Sequence, residues 1–312
     1  LAIYYFGILP FLLCKGENMD LKKSKIGIIG LGQMGSGISA NLVKAGYNIT
    51  GYDLKADAIK RLVDIGGHIS NSGEDIVANC NVVLVCVEGC DSIKIFDNVI
   101  LPNSRKGQIF VDHSTVPAPE TRRIGQALVE KGCLYLDAPI SGGSDGAAKG
   151  MLRIFVGGDK SIADKCWELF EVIGNTQKIV YCGEIGMGQI GKVVQQLTVR
   201  FPSVARLEVM VFGLRAGLDL ETLMRSLDVD PNSSDPYAGL YKSIKNGEAE
   251  SLSYEFAEWG YYLQEVKTLG FYMPMLEAMF EFCKDAEKTT FDALRRPEPS
   301  IWNELMKRSR NN

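Results

Sequence analysis

Between Lys25 and Asp53 the apolar and polar positions trace a strand, a helix and a second strand. Ile26-Gly27-Ile28-Ile29 is a continuous apolar run of the kind a parallel strand buried on both faces requires. Ile38, Leu42, Val43 and Ala45 follow at helical spacing, and residues 48–52 read as the next strand. The alternation then persists. A helix is predicted over 56–64, a fourth strand over 82–87, further strands over 108–112, 134–138, 153–157 and 178–181, and helices between them. Beyond Gly183 the pattern changes to long apolar stripes at helical spacing, from Gly191 to about Leu220 and then over 221–227, 254–269 and 275–285. Pro202 falls inside the first of these, where it is expected to kink or divide the helix. The predicted fold is therefore α/β, a Rossmann-type doubly wound parallel sheet followed by an all-helical carboxyl-terminal domain. The expected divisions are an extension outside the fold (1–24), a dinucleotide-binding domain (25–185) and a helical domain (186–312).

The turn between the first strand and helix carries the first chemistry. Gly30-Leu31-Gly32-Gln33-Met34-Gly35 is a GxGxxG turn in its proper strand-to-helix context. The first glycine allows the tight turn, the second lets the backbone approach a pyrophosphate, and the third lets helix and strand pack closely. Free N–H groups at the positive end of the helix dipole would hold the anion. Asp53 lies 18 residues beyond Gly35, where an acidic residue accepts from the adenosine ribose hydroxyls. Its charge would repel a 2′-phosphate, favouring NAD over NADP, with Lys55 and Arg61 near enough in sequence to soften the preference. Val87 and Glu88 at the end of the fourth strand, and Ser114 and Thr115 at the end of the next, face the same cofactor cleft, because ligands in such sheets lie beyond the carboxyl ends of strands. The hydroxyl pair Ser114-Thr115 can also cap the helix starting near Pro119.

Two further stretches are candidates for substrate chemistry. Pro139 to Ala147 is a glycine-rich turn whose backbone N–H groups, with the Ser141 hydroxyl, can cradle a carboxylate. Lys192 is placed in the first turn of the linking helix, after the Gly186-Met187-Gly188 turn, with Gln195 and Gln196 three and four residues on and sharing its face. From the residues alone Lys192 is as readily a solvated surface lysine as a functional one.

Bulk properties exclude more than they suggest. The 312 residues are 46% apolar and 23% charged, with a net charge of −4 and no basic block, which makes nucleic acid an unsuitable partner. Eight cysteines without a CxxC pair read as reduced core thiols of a cytoplasmic protein. His68 and His113 have no companions at metal-ligand spacing, so no metal is expected. Residues 1–14 are strongly apolar but lack a basic flank and are too short to span a bilayer; a signal anchor is one reading, and the preferred one is an upstream extension of the reading frame with Met19 as the working start and no membrane association.

Together these residues resemble the β-hydroxyacid dehydrogenase family, within the 6-phosphogluconate dehydrogenase superfamily, whose members include 3-hydroxyisobutyrate dehydrogenase and tartronate semialdehyde reductase. Four motifs carry the likeness in order: GLGQMGSGISANL (Gly30 to Leu42), DHST (Asp112 to Thr115), DAPISGGSDGAAKG (Asp137 to Gly150) and GMGQIGKVVQQ (Gly186 to Gln196). The resemblance implies an NAD- or NADP-dependent oxidoreductase that moves a hydride between the nicotinamide and the 3-hydroxy carbon of a small β-hydroxy acid or its semialdehyde. It implies Lys192 as general acid/base, Ser141, Gly142 and Gly143 as binders of the substrate carboxylate, and Ser114, Gln195 and Gln196 as orienting groups. A homodimer or homotetramer is implied as well.

The chemistry is coherent, because such a transfer needs a proton to leave or reach the hydroxyl oxygen, and a lysine serves when desolvation disfavours its ammonium form. Three positions depart from the family pattern. Gln195 and Gln196 stand where an asparagine is usual, Ala257-Glu258 replaces a Lys-Asp pair near the cofactor, and Val87-Glu88 replaces Leu-Pro. These departures motivate a non-catalytic dinucleotide-binding protein as the alternative. An imine reductase is the other, although such relatives tend to replace the lysine that is retained here.

Overall fold

The computed structural model describes residues 20–249, 257–284 and 301–308. The chain opens with β1 (Lys25–Ile29), α1 (Gln33–Lys44), β2 (Asn48–Tyr52), α2 (Ala56–Asp64), β3 (His68–Ile69), α3 (Gly73–Asn79) and β4 (Val82–Val85). It continues through α4 (Gly89–Ile95), a π turn (Phe96–Ile100), α5 (Leu101–Asn103), β5 (Ile109–Asp112), α6 (Ala118–Glu130) and β6 (Leu134–Asp137). Next come β7 (Ile140–Ser141), α7 (Gly143–Ala148), β8 (Leu152–Gly158), α8 (Lys160–Ile173) and β9 (Gly174–Gly183). Among the described residues the elements that follow are all helices: α9 (Met187–Arg215), α10 (Leu220–Ser226), α11 (Pro236–Lys245), α12 (Ala257–Thr268), α13 (Pro274–Lys284) and α14 (Ile301–Arg308).

The strands form one sheet in the order β3-β2-β1-β4-β5-β6-β8-β7, with β9 beside β8, and β1 to β6 are all parallel. Alternate residues of the central strands point to opposite faces. Ile26, Ile28, Val82, Leu84, Ile109 and Val111 enter one buried cluster with Ile38 and Leu42 of α1 and Phe170 of α8. Ile29, Val83, Val85 and Phe110 enter a second, with Ile76 of α3 and Ile124 and Leu128 of α6. This two-sided burial is why the strands read as unbroken apolar runs.

The doubly wound, mostly parallel sheet is as expected, and three details differ. One strand, β8, runs antiparallel to β6 and β7, pairing Leu136 with Gly158 and Ile140 with Ile154. The connection between β7 and β8 holds only the six-residue α7, too short for the crossover a parallel return requires. The glycine-rich turn after β6 is thereby part of the sheet and a short helix rather than an open loop. Leu21, assigned by sequence to an extension outside the fold, is 2% exposed and belongs to the first cluster, while residues 1–19 lie outside the described ones. Finally, Pro202 does not divide α9, which runs unbroken for 29 residues.

The helices after β9 pack around α9. Its Leu197, Val204, Leu207 and Val211 meet Trp259, Tyr262, Leu263 and Val266 of α12 and Leu276 of α13, and Phe201 stacks on Trp259 at 6.0 Å between centroids. Met210 meets Leu223, Met224 and Tyr241 of α10 and α11. These contacts hold α9 together across Pro202, whose own side is exposed. The 254–269 stripe becomes α12 from Ala257, its first three residues lying outside the described ones; helices α11 and α14 have no counterpart among the segments read from the sequence. For α11 a signal was present in Asp235-Pro236, an N-cap and first-position pair whose aspartate accepts from Tyr237 N–H. Among the described residues no helix is long and apolar enough to cross a membrane.

Pro202→Ala restores a backbone donor inside α9 at an exposed position, so it is expected to stabilise the protein by roughly 1–3 kcal/mol, read as a rise in the thermal unfolding midpoint.

Candidate active site

The glycine turn is built as a ligand-facing cradle. Gly30 adopts φ +97°, where a side chain would run into the Cys86 carbonyl, and a Cβ on Gly35 would collide with the Gly30 carbonyl. At Gly32, the N-cap of α1, a Cβ would meet nothing within 4 Å. The turn is therefore closed towards the protein and open outward at the residue that must approach a pyrophosphate. Gln33 is exposed and Met34 half-buried beside it. Asp53 accepts the Leu31 N–H at 2.7 Å through one carboxylate oxygen and the Lys55 N–H at 2.8 Å through the other, which fixes its carboxylate beside the turn with lone pairs to spare. These features fit a dinucleotide.

Across the cleft, β4 and β5 are tied at their carboxyl ends. Val87 N–H donates to the Ser114 hydroxyl at 3.2 Å, and Ser114 N–H donates to Asp112 at 2.9 Å. Ser114 is buried, whereas Thr115 is half-buried and Glu88 exposed. Neither hydroxyl caps α6, whose N-cap is Pro117 without a side-chain hydrogen bond. The Ser114 oxygen instead stitches two strand ends together.

The decisive juxtaposition lies between α9 and β7. Lys192 Nζ donates to the Ile140 carbonyl at 2.8 Å, immediately before Ser141, and only 6% of the lysine is exposed. Because α9 begins at Met187, Lys192 is in the second turn rather than the first, and it is buried. Two glycines make this approach possible. A Cβ on Gly188 would crowd the Phe155 and Asp137 carbonyls, and one on Gly191 would press on Cys182 and Phe155. The start of α9 is anchored by Asp137, whose carboxylate accepts from Gly186 N–H at 2.8 Å and Gln189 N–H at 3.0 Å. Here a buried anion sits at the positive end of a helix. Gly142 (φ +140°) and Gly143 (φ +63°) hold conformations that favour glycine, and a Cβ on Gly143 would meet open space.

Residues 25–192 match the NAD binding domain of 6-phosphogluconate dehydrogenase. The mitochondrial 3-hydroxyisobutyrate dehydrogenase of Rattus norvegicus is 29% identical over 239 residues, 75% of this chain and 70% of that protein. The NAD-dependent L-serine dehydrogenase of Pseudomonas aeruginosa is 34% identical over 202 residues, 64% of this chain and 67% of that one. The chain belongs to the β-hydroxyacid dehydrogenase family. Among solved structures, Mycobacterium tuberculosis 3-hydroxyisobutyrate dehydrogenase with L-serine superposes with a TM-score of 0.72 at 25% identity, over 91% of this chain and 98% of that one.

In this member of the family the fold brings Lys192 beside the Ile140-Ser141 strand and, at 4.0 Å, beside Glu258. It separates the two glutamines. Gln196 accepts from Arg200 one turn along the helix, whereas Gln195 keeps a buried Oε1 without a hydrogen-bond partner. Gln189 went unnoticed in the sequence, although it lies in the same motif. It is 2% exposed, its Oε1 accepts from Val116 N–H at 3.2 Å, and its Nε2 donates to the Ser114 carbonyl at 3.0 Å. Glutamines at a helix start are ordinarily solvated, so only the assembled fold reveals this one as a clamp between α9 and the Ser114 loop.

The site is underlain by buried titratable groups. Burial pushes Asp112 up to about 7 and Asp137 up to about 6, in each case against hydrogen-bond donors that pull the other way. Burial lowers His113 to about 4, with the Ala138 carbonyl accepting from Nδ1 at 2.9 Å and partly opposing the shift. The native ring therefore stays neutral where an unfolded one, near 6.5, charges. Its contribution to stability is present above 6.5 and lost as pH falls through about 4. His113→Asn should consequently gain on the parent protein as pH drops from 6.5 to 4, in thermal midpoints measured across that window.

Proposed function

We propose that the chain transfers a hydride between a nicotinamide dinucleotide and the hydroxyl-bearing C3 of a small 3-hydroxy acid, or its semialdehyde, with Lys192 as the general acid/base. The observation that carries this reading is the buried Lys192 amine, 2.8 Å from the carbonyl just before Ser141. A proton-handling group thus stands beside the segment best equipped to hold a carboxylate. The two substrates named in the relatives, 3-hydroxyisobutyrate and L-serine, share a hydroxymethyl group on the carbon that bears the carboxylate. That common frame needs only an anion cradle and an acid/base set about one carbon further on.

The dinucleotide, when bound, supplies or accepts the hydride. Gly30, Leu31, Gly32, Gln33, Met34 and Gly35 would hold its pyrophosphate, Asp53 its adenosine ribose, and Val87, Glu88, Ser114 and Thr115 would line its path to the substrate. Ser141 Oγ and the N–H groups of Gly142 and Gly143 would fix the substrate carboxylate, while the unpartnered Gln195 oxygen, which can only accept, would orient a donor group of the substrate. In oxidation Lys192 takes the hydroxyl proton as the hydride leaves carbon. In reduction its ammonium stabilises the developing alkoxide and then donates the proton. Residues 25–185 are read as the cofactor unit, and 186–312 as the helical unit that closes the pocket and joins subunits into a dimer or tetramer.

Turnover is followed by nicotinamide absorbance over a panel of 3-hydroxy acids and semialdehydes. Lys192→Ala is expected to lower kcat by about 10²–10⁴-fold while the protein still binds cofactor. Turnover at the parent rate would overturn the assignment, and absence of turnover in the parent with every panel member would favour a non-catalytic binder. Cofactor choice is tested separately. Asp53→Asn keeps an acceptor for the Leu31 N–H but removes the charge, so it should shift the ratio of NAD to NADP dissociation constants towards NADP by about tenfold.

A further inference from the structure

We propose that Glu258 is a positioning residue for Lys192, so that the pair rather than the lysine alone handles the proton. This rests on the acid/base reading of Lys192. Glu258 lies in the first turn of α12, and its Oε1 stands 4.0 Å from Lys192 Nζ, with the two side chains 13% and 7% exposed. Its other oxygen accepts from the Tyr262 hydroxyl at 2.7 Å, one turn along the same helix. The carboxylate is thus oriented by a neighbour and set against a buried amine.

An ammonium has three protons to place. The Ile140 carbonyl takes one at 2.8 Å, the carboxylate attracts a second from just beyond direct hydrogen-bond range, and one remains for a substrate oxygen. The scaffold behind Glu258 leaves it little freedom. Trp259 is 2% exposed and stacks on Phe201 of α9, and Glu265, two turns along, pairs with Arg122 of α6 at 2.6 Å. Tyr261 packs its hydroxyl against the start of α4, where a Cβ on Gly89 would stand 3.1 Å from it. That side carries Glu88 and Asp91, whose charges act on Tyr261 in the same sense as that of Glu258. The charges that act on Tyr261 from the start of α4 are thus anionic, Asp91 being paired with Lys94 on its own helix, and the first turn of α12 brings no cation of its own. The counter-charge is Lys192. Removing one partner of a buried pair leaves the other charge uncompensated, which is why the amine should lose its set position when the carboxylate is neutralised.

The test compares Glu258→Gln, Glu258→Asp and Tyr262→Phe with Lys192→Ala, measuring kcat, substrate KM, cofactor dissociation constant and thermal midpoint. Glu258→Gln is expected to lower kcat by about 10- to 100-fold, the scale of a misplacement near 1 Å, with KM and cofactor binding changed less than about twofold. Glu258→Asp should recover part of kcat, and Tyr262→Phe should show a smaller loss of the same kind. A kcat at the parent level in Glu258→Gln would overturn the proposal while leaving the acid/base reading intact. So would a loss matched by a rise in KM or a fall in thermal midpoint that Glu258→Asp does not recover, since that marks a binding or structural residue. If Glu258→Gln does not fold, Tyr262→Phe decides by the same criterion, because it keeps the carboxylate and removes only its hydroxyl partner. Parent-level turnover by Lys192→Ala would instead remove the premise.

Discussion

A buried carboxylate at the start of a helix holds the site in register. Asp137 ends β6 and accepts two backbone N–H groups from the beginning of α9, so the sheet and the helix that bears Lys192 meet through a charge with no solvent to compete for it. Isolated burial of an anion is expensive, and burial does raise this carboxyl towards 6. The free donors of the helix terminus and its dipole offset that cost. Glycines at 157, 188 and 191 let the surfaces close to backbone contact, since a Cβ at any of them would strike Asp137, Phe155 or Cys182.

Gln189 extends the same junction. One backbone donor goes to Asp137 and both side-chain atoms go to the Ser114–Val116 segment, so a single residue fixes α9 to two strand ends. Ser114 in turn receives Val87 N–H. The ends of β4 and β5 and the lysine-bearing helix are consequently linked by short polar contacts rather than by apolar packing alone. Such contacts specify distance and direction where apolar packing specifies mostly volume.

Much of this was legible in the chain because local and global signals agree. The apolar runs of β1, β4 and β5, the glycine turn at 30–35 and the change to helical periodicity after Gly183 each state their element directly. The antiparallel β8 was not legible, because strand direction depends on what the short α7 connection can span rather than on composition. Pro202 does not divide α9 for a related reason: tertiary contacts on both sides of it outweigh its local preference. At the site, the motifs pointed to Ser141 and Lys192, but nothing in the sequence separates Gln195, with its unpartnered oxygen, from Gln196, which turns to Arg200. Ser114 was picked out for its hydroxyl, and its observed bond is to a neighbouring strand end.

The unbroken α9 also acts as a lever with its fulcrum at one end. With 29 residues at about 1.5 Å each it is roughly 42 Å long, and Lys192 lies only about 7 Å from the Asp137 anchor. A tilt of about 5° around that anchor would carry the far end, where α10 and α11 pack, by nearly 4 Å and the lysine by less than about 0.7 Å. Displacements of the distal helices can therefore be large at the periphery and almost imperceptible at Lys192.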